Sequence, residues 1–192
     1  GSVFIGGAVI QWIRDELELI NDASDTEKIA LSIKDTGGVY IIPAFVGLGA
    51  PYWNAECQGT ITGITRGTNK KHLIRAALES IAYQVNDLIE CLKKDVNKPL
   101  KQLNVDGGAT NNNFLLQFQS DISKINIVKP CNIESTALGA AILAGLKSKF
   151  WKNINEPFQN QKASKLYTPS MNKEKRNELL KGWKKAIKSI NR

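Results

Sequence analysis

The residues best suited to chemistry lie in Val105-Asp-Gly-Gly-Ala-Thr-Asn-Asn-Asn113. An apolar run that empties into two glycines and then a helix brings unpaired backbone N–H groups to one point, with no side chain in the way. The dipole of the following helix adds a potential favourable to an anion. Asn112 stands near the helix start, where its amide can cap the helix or reach a polar group of a ligand. The spacing matches neither GxxxxGK[ST] nor GxGxxG, and Gly-Gly turns also serve purely structural ends, so the segment alone leaves both readings open. Asp106 is expected to hold the turn through local hydrogen bonds rather than act as a base. A second pair, Gly7 and Gln11, lies four residues apart on one helical face, off the stripe of Ile10, Ile13 and Leu17. A lone glutamine in such a place can equally be an ordinary solvent-facing residue.

Several elements must position these groups. Helices are expected from Phe4 or Gly7 to Ile20, from Thr26 to Ile33 and from about Lys71 to Leu92, the last on the stripe Leu73, Ala77, Ile81, Val85 and Leu88. Strands are expected at Val39–Pro43, Gly59–Ile64, Leu103–Val105 and Ile125–Val128. Phe45-Val-Gly-Leu-Gly-Ala-Pro-Tyr-Trp53 reads as an ordered loop. A helix follows the Gly-Gly turn to about Ile122, and Ser135 to Phe150 reads as a helix whose small residues admit another backbone. A polar connector over 152–170 leads to a last helix, Asn172 to Ile190, apolar along Leu179, Leu180, Trp183, Ile187 and Ile190. Alternation of strands and helices points to an α/β class, with a body over 1–168 and a basic amphipathic helix over 169–192.

Composition narrows the function classes. With one histidine and three scattered cysteines (Cys57, Cys91, Cys131), no metal centre or disulfide framework is expected, and reduced thiols fit a cytoplasmic setting. No apolar run reaches the length of a membrane span. The net charge of +8 is confined to the end of the chain: residues 147–192 balance at +10 and residues 1–146 at −2. That distribution reads as a solvated helix face rather than a nucleic-acid footprint, so no nucleic-acid partner is expected.

Gly59, Ile61, Gly63 and Ile64, followed after seven residues by His72, Leu73, Ala76, Ala77, Leu78 and Glu79, resemble the C-terminal signature of the FGGY family of carbohydrate kinases. In this signature His72 reads as a helix-start residue, and Glu79 as a group that orders a neighbouring loop. The loop Pro43–Trp53, Gly7–Trp12, Glu79–Gln84 and Gly182–Ala186 are similar to the glycerol kinases within that family rather than to kinases of larger sugars. The resemblance implies an actin-like, RNase H-like ATPase fold, of which this would be the second domain without its first strands. It implies ATP or ADP with Mg as cofactor, nucleotide contacts at Gly7, Gln11, Gly108 and Asn112, and Gly107 in the same turn. It also implies glycerol as substrate, held mainly by an N-terminal domain, and a homo-oligomeric full-length protein. The family's catalytic aspartate and glycerol ligands have no counterpart here, so no catalytic residue is expected and the chain alone is expected to be inactive. The alternatives are another sugar kinase of the same family and a non-catalytic nucleotide-binding or interaction module.

Overall fold

The computed structural model describes residues 3–96, 99–131, 133–158 and 165–191. Its elements run α1 (Ala8–Asp15), α2 (Asp25–Leu31), β1 (Tyr40–Ile42), β2 (Thr60–Thr62), α3 (Lys70–Asp95), β3 (Gln102–Asn104), α4 (Asn113–Ser123), β4 (Asn126–Lys129), α5 (Ser135–Lys147), β5 (Lys165–Tyr167) and α6 (Lys173–Ile190). Short 3-10 turns occupy Gly108–Asn111 and Glu156–Phe158.

Helix α3 is the central post, because its 26 residues carry apolar groups on more than one face. It starts at a reciprocal cap. The Asn69 side chain accepts from Lys71 N at 3.0 Å, and His72 Nδ1 accepts from Asn69 N at 3.1 Å. His72 is thus a helix-start residue, as its position in the sequence predicts. Helices α1, α2 and α4 and strand β1 pack around α3, burying Val9, Ile13, Ile74, Leu78 and Ile122 in one core. Helix α6 closes that core with Trp183, which is 0% exposed and stacks on Tyr83 at 5.1 Å between centroids. Its stripe of apolar residues faces inward and its lysines face out.

The strands form two small sheets. β1 and β2 pair antiparallel with Tyr40 opposite Thr62. β4 lies between β3, parallel to it, and β5, antiparallel to it, with Leu116, Ile127 and Tyr167 beneath.

Four expectations need correction. Helix α1 stops at Asp15 instead of Ile20, because Glu18 turns to φ 52°, a left-handed conformation that ends a helix. Ile20 is still buried, delivered by the turn. The connector over 152–170 contains a strand, β5, whose alternation is too short to read from sequence. Residues 159–164 of that connector lie outside the described residues. The small-residue helix α5 admits no second backbone among the described residues: only Ile142 on it is buried, and Gly145 yields its space to the Trp151 ring. Finally, a 3-10 turn separates the two glycines from α4, so the Gly-Gly turn does not open directly onto that helix.

Candidate functional site

Helices α1 and α2 and the turn before α4 enclose a cleft of about 1050 Å³, a size suited to a small-molecule ligand. Its floor is apolar, made by Ile10 of α1, Leu78 and Ile81 of α3 and Leu115 of α4. Gly7, Gln11 and Arg14 line one wall, Thr26, Glu27 and Leu31 another, and Gly108, Ala109 and Asn112 a third. An apolar floor with a polar rim is the arrangement that buries a flat organic group and orients it by a few hydrogen bonds.

The two cleft glycines differ from the glycine beside them. Gly107 has φ 86° and anchors the turn: its N–H donates to Ile133 O at 2.9 Å, and its carbonyl accepts from Thr110 N at 3.0 Å and Thr110 Oγ1 at 2.7 Å. Its left-handed backbone needs glycine for conformational reasons. Gly108 and Gly7 have no such need, since neither takes a left-handed φ and a Cβ built on either meets no protein atom within 4 Å. Space is therefore left open at both, on two walls of the cleft. Gly7, Gln11, Gly108 and Asn112 line the cleft, whereas Gly107 shapes the turn without lining it.

Asn112 does what both halves of its amide permit. Its Oδ1 accepts from Leu115 N at 2.9 Å and caps α4, while its Nδ2 donates to Thr26 Oγ1 at 3.0 Å. Next to it, Asn113 donates to Glu27 through its backbone N (2.6 Å) and through Nδ2 (3.0 Å). The first turn of α4 is thus satisfied from within the protein, and its dipole does not face an open anion position as the sequence predicts. Asp106 is a second correction. It is exposed and makes no hydrogen bond among the described residues, and Thr110 and Ile133 hold the turn in its place.

Behind α2, Arg75 secures the wall. Its Nε lies 2.8 Å from Glu79 Oε1, and its Nη1 donates to Ala30 O at 3.0 Å and Ile33 O at 2.6 Å, the carbonyls ending α2. Burial pushes the Glu79 carboxyl up, and the Arg75 guanidinium pulls it back down. Glu79 thus orders the end of α2 through Arg75. On the cleft rim, the hydrogen bond from Arg14 holds the exposed Asp15 carboxyl below the usual range.

Thr26, Glu27, Asn113 and Leu31 escape sequence reasoning. Ser24 and Glu27 have the spacing of a capping box, which marks Glu27 as local to its own helix. In the structure Ser24 makes no side-chain cap, and Glu27 crosses to Asn113 instead. Among the described residues no group of three or more His, Cys, Asp or Glu could hold a metal ion, and no helix is long and apolar enough to cross a membrane.

The model of the FGGY family of carbohydrate kinases, C-terminal domain, matches residues 1–148. A glycerol kinase of Clostridium beijerinckii is 56% identical over 188 residues, 98% of this chain and 38% of that protein. A glycerol kinase of Clostridium perfringens is 55% identical, over 97% of this chain and 37% of that protein. The chain thus spans well under half the length of the curated relatives it matches. Among solved structures, Plasmodium falciparum glycerol kinase with ADP superposes with a TM-score of 0.86 at 34% identity, over 99% of this chain and 38% of that one. A ligand-bound xylulose kinase from Lactobacillus acidophilus gives 0.73 at 27% identity, over 93% and 36%. The fold is the actin-like ATPase fold of these kinases. The chain belongs to the FGGY family of carbohydrate kinases and carries that family's C-terminal domain.

Proposed function

We propose that this domain binds the adenosine side of ATP in the cleft between α1, α2 and the Gly107–Asn111 turn, as part of a glycerol kinase. The full-length protein would transfer the γ-phosphoryl of MgATP to a glycerol hydroxyl, giving glycerol 3-phosphate and ADP. The observation that carries this reading is the open space at Gly7 and Gly108, glycines that neither local conformation nor packing demands. A purine and ribose held over Leu78 and Ile81 would approach both backbones closely, with Gln11 and the second Nδ2 hydrogen of Asn112 at the edge. The identity to glycerol kinases favours glycerol over larger sugars. The cleft residues fit the nucleotide, and Mg would supply charge neutralisation of the phosphates when bound.

In this reading the present residues bind and orient the nucleotide, while the hydroxyl's base and most glycerol contacts come from an N-terminal domain. The chain by itself is inactive, and the full-length protein is a cytoplasmic homo-oligomer. The scattered cysteines Cys57, Cys91 and Cys131 accord with a reducing compartment. Two-substrate kinetics on the full-length protein provide the test. Gly108→Val should raise the KM for ATP by at least about tenfold, equivalent to ~1.4 kcal/mol, and leave the KM for glycerol nearly unchanged. A folded Gly108→Val variant with an unaltered ATP KM would overturn the assignment. Phosphorylation of xylulose or gluconate in preference to glycerol would move the protein to another branch of the family.

A further inference from the structure

Glu27 poses a problem of charge. It is a carboxylate in the wall of a cleft assigned to the adenosine side of a phosphate-bearing nucleotide, yet it is not matched there by a cation among the ion pairs of the described residues. Left free, it would repel phosphate. Both its oxygens are instead turned to Asn113: Oε2 accepts from the backbone N at 2.6 Å and Oε1 from Nδ2 at 3.0 Å. The backbone N–H belongs to the first residue of α4, where the helix dipole favours a negative charge. Glu27 therefore fills the anion position at the start of α4 itself.

Asn113 is in turn fixed from the other side. Its Oδ1 accepts from Lys165 Nζ at 2.6 Å and from Tyr167 OH at 2.7 Å, both on β5. Those two bonds dictate which end of the amide faces Glu27. A continuous path of hydrogen bonds runs from β5 through Asn113 to α2, and the neighbouring Asn112 to Thr26 bond runs beside it. Helix α2 is only seven residues long and is held at its far end by Arg75. The cleft face of α2, including the exposed Leu31, is thus carried by a short helix tied to its neighbours at both ends and packed on the core through Ala30.

We propose that Glu27 is a positioning residue for nucleotide binding: through Asn113 it ties α2 to the start of α4 and so sets the width of the cleft between Leu31 and Gly108. The inference rests on the nucleotide assignment above. Glu27 does not contribute to the glycerol side or to the chemical step, so its loss separates ATP affinity from turnover. A glutamine keeps one acceptor for the Asn113 N–H but opposes its other end to the Asn113 amide N–H, so it restores the tie only in part.

The test uses the full-length protein, with ADP binding by calorimetry, ATP and glycerol kinetics, and thermal melts. Glu27→Ala should weaken ADP binding and raise the ATP KM roughly tenfold, the scale of one charge-assisted hydrogen bond. Glu27→Gln should fall between it and wild type, and kcat and the glycerol KM should stay within about twofold for both. Because the two residues share one tie, and Asn113→Ala still leaves its backbone N–H bonded to Glu27, the double change Glu27→Ala with Asn113→Ala should weaken ADP binding by less than the sum of the two single effects. Wild-type ADP affinity in folded Glu27→Ala, or effects of the two changes that add, would overturn the proposal. If Glu27→Ala fails to fold, the Gln variant decides by the same criteria. Gly108→Val is measured in parallel. Unchanged ADP binding there removes the nucleotide assignment itself, whereas loss there with wild-type affinity in Glu27→Ala removes only the tie.

Discussion

Asp87 on α3 joins three parts of the molecule, and removing it should have a calculable cost. Its Oδ2 accepts from Trp183 Nε1 of α6 at 2.7 Å and from Tyr52 OH of the Pro43–Trp53 loop at 2.8 Å. Trp183 is 0% exposed, so its N–H has no route to water, and Asp87→Ala leaves it unsatisfied at about 1–3 kcal/mol. Tyr52 is only half-buried, so its hydroxyl can turn to solvent and lose about 0.5–1.5 kcal/mol. Release of a carboxylate from an unfavourable burial offsets part of this, which leaves a net loss of about 1–4 kcal/mol. Asp87→Asn keeps one carbonyl oxygen for both donors and should stay within about 1 kcal/mol of wild type. The two also differ in pH dependence. Burial raises the Asp87 carboxyl above its ordinary value, against the hydrogen bonds from Trp183 and Tyr52 and the charge of Lys184, and Glu90 adds to the rise. The folded state therefore holds this proton at pH values where the unfolded chain has lost it. The associated stability is fully present below the ordinary carboxylate pKa and is lost as pH rises through the raised folded value. Urea unfolding of the full-length protein between pH 4 and 8, followed by tryptophan fluorescence, should show that decline in wild type and a shallower one in Asp87→Asn. Equal destabilisation by Ala and Asn would refute the reasoning, because charge rather than acceptor capacity would then be what matters.

Three further outcomes follow from the same packing. Arg75→Ala should cost about 3–5 kcal/mol, since it strands the buried Glu79 and frees the carbonyls ending α2; chemical denaturation checks this, and Arg75→Ala with Glu79→Ala should recover part of the loss. Gly63→Ala and Gly108→Ala should separate cleanly in thermal melts: Gly63 has φ 79° with its open side against the Gly38 backbone, so it should lose stability, while Gly108→Ala should melt as wild type and lose ADP affinity. Trp183→Ala should cost about 3–5 kcal/mol, whereas Lys188→Glu on the solvent side of α6 should move stability by only about 0.5 kcal/mol.

Local patterns in the sequence carry much of the fold. The 3.6-residue stripe of α6 marks the face that is buried, and Asn69 with His72 marks the start of α3 by side-chain chemistry that acts within four residues. Helix α3, by contrast, is buried beyond its stripe, with Leu73, Val85 and Leu88 only half-buried and Glu79, Ser80 and Asn86 inside. The Gly107-Gly108 turn is legible because glycine pairs have few other uses. The family signature is legible because many restricted positions agree at fixed spacing, although no single one of them specifies a function. What the sequence leaves undecided is every partnership across distance. Gly107 and Gly108 are adjacent and identical, yet one answers to backbone conformation and the other faces open space, a distinction that only the φ angle and the surroundings make. Glu27 carries a local capping pattern but bonds across 86 residues to Asn113, because α2 is brought against α4 by burial of the core below them. Strand β5 is three residues long and exists by virtue of pairing with β4, a gain that no window of its own sequence contains. Periodicity and capping act between neighbours and can be read from them. The width of the cleft depends on helices that meet only once the core has closed, so tertiary structure alone decides it.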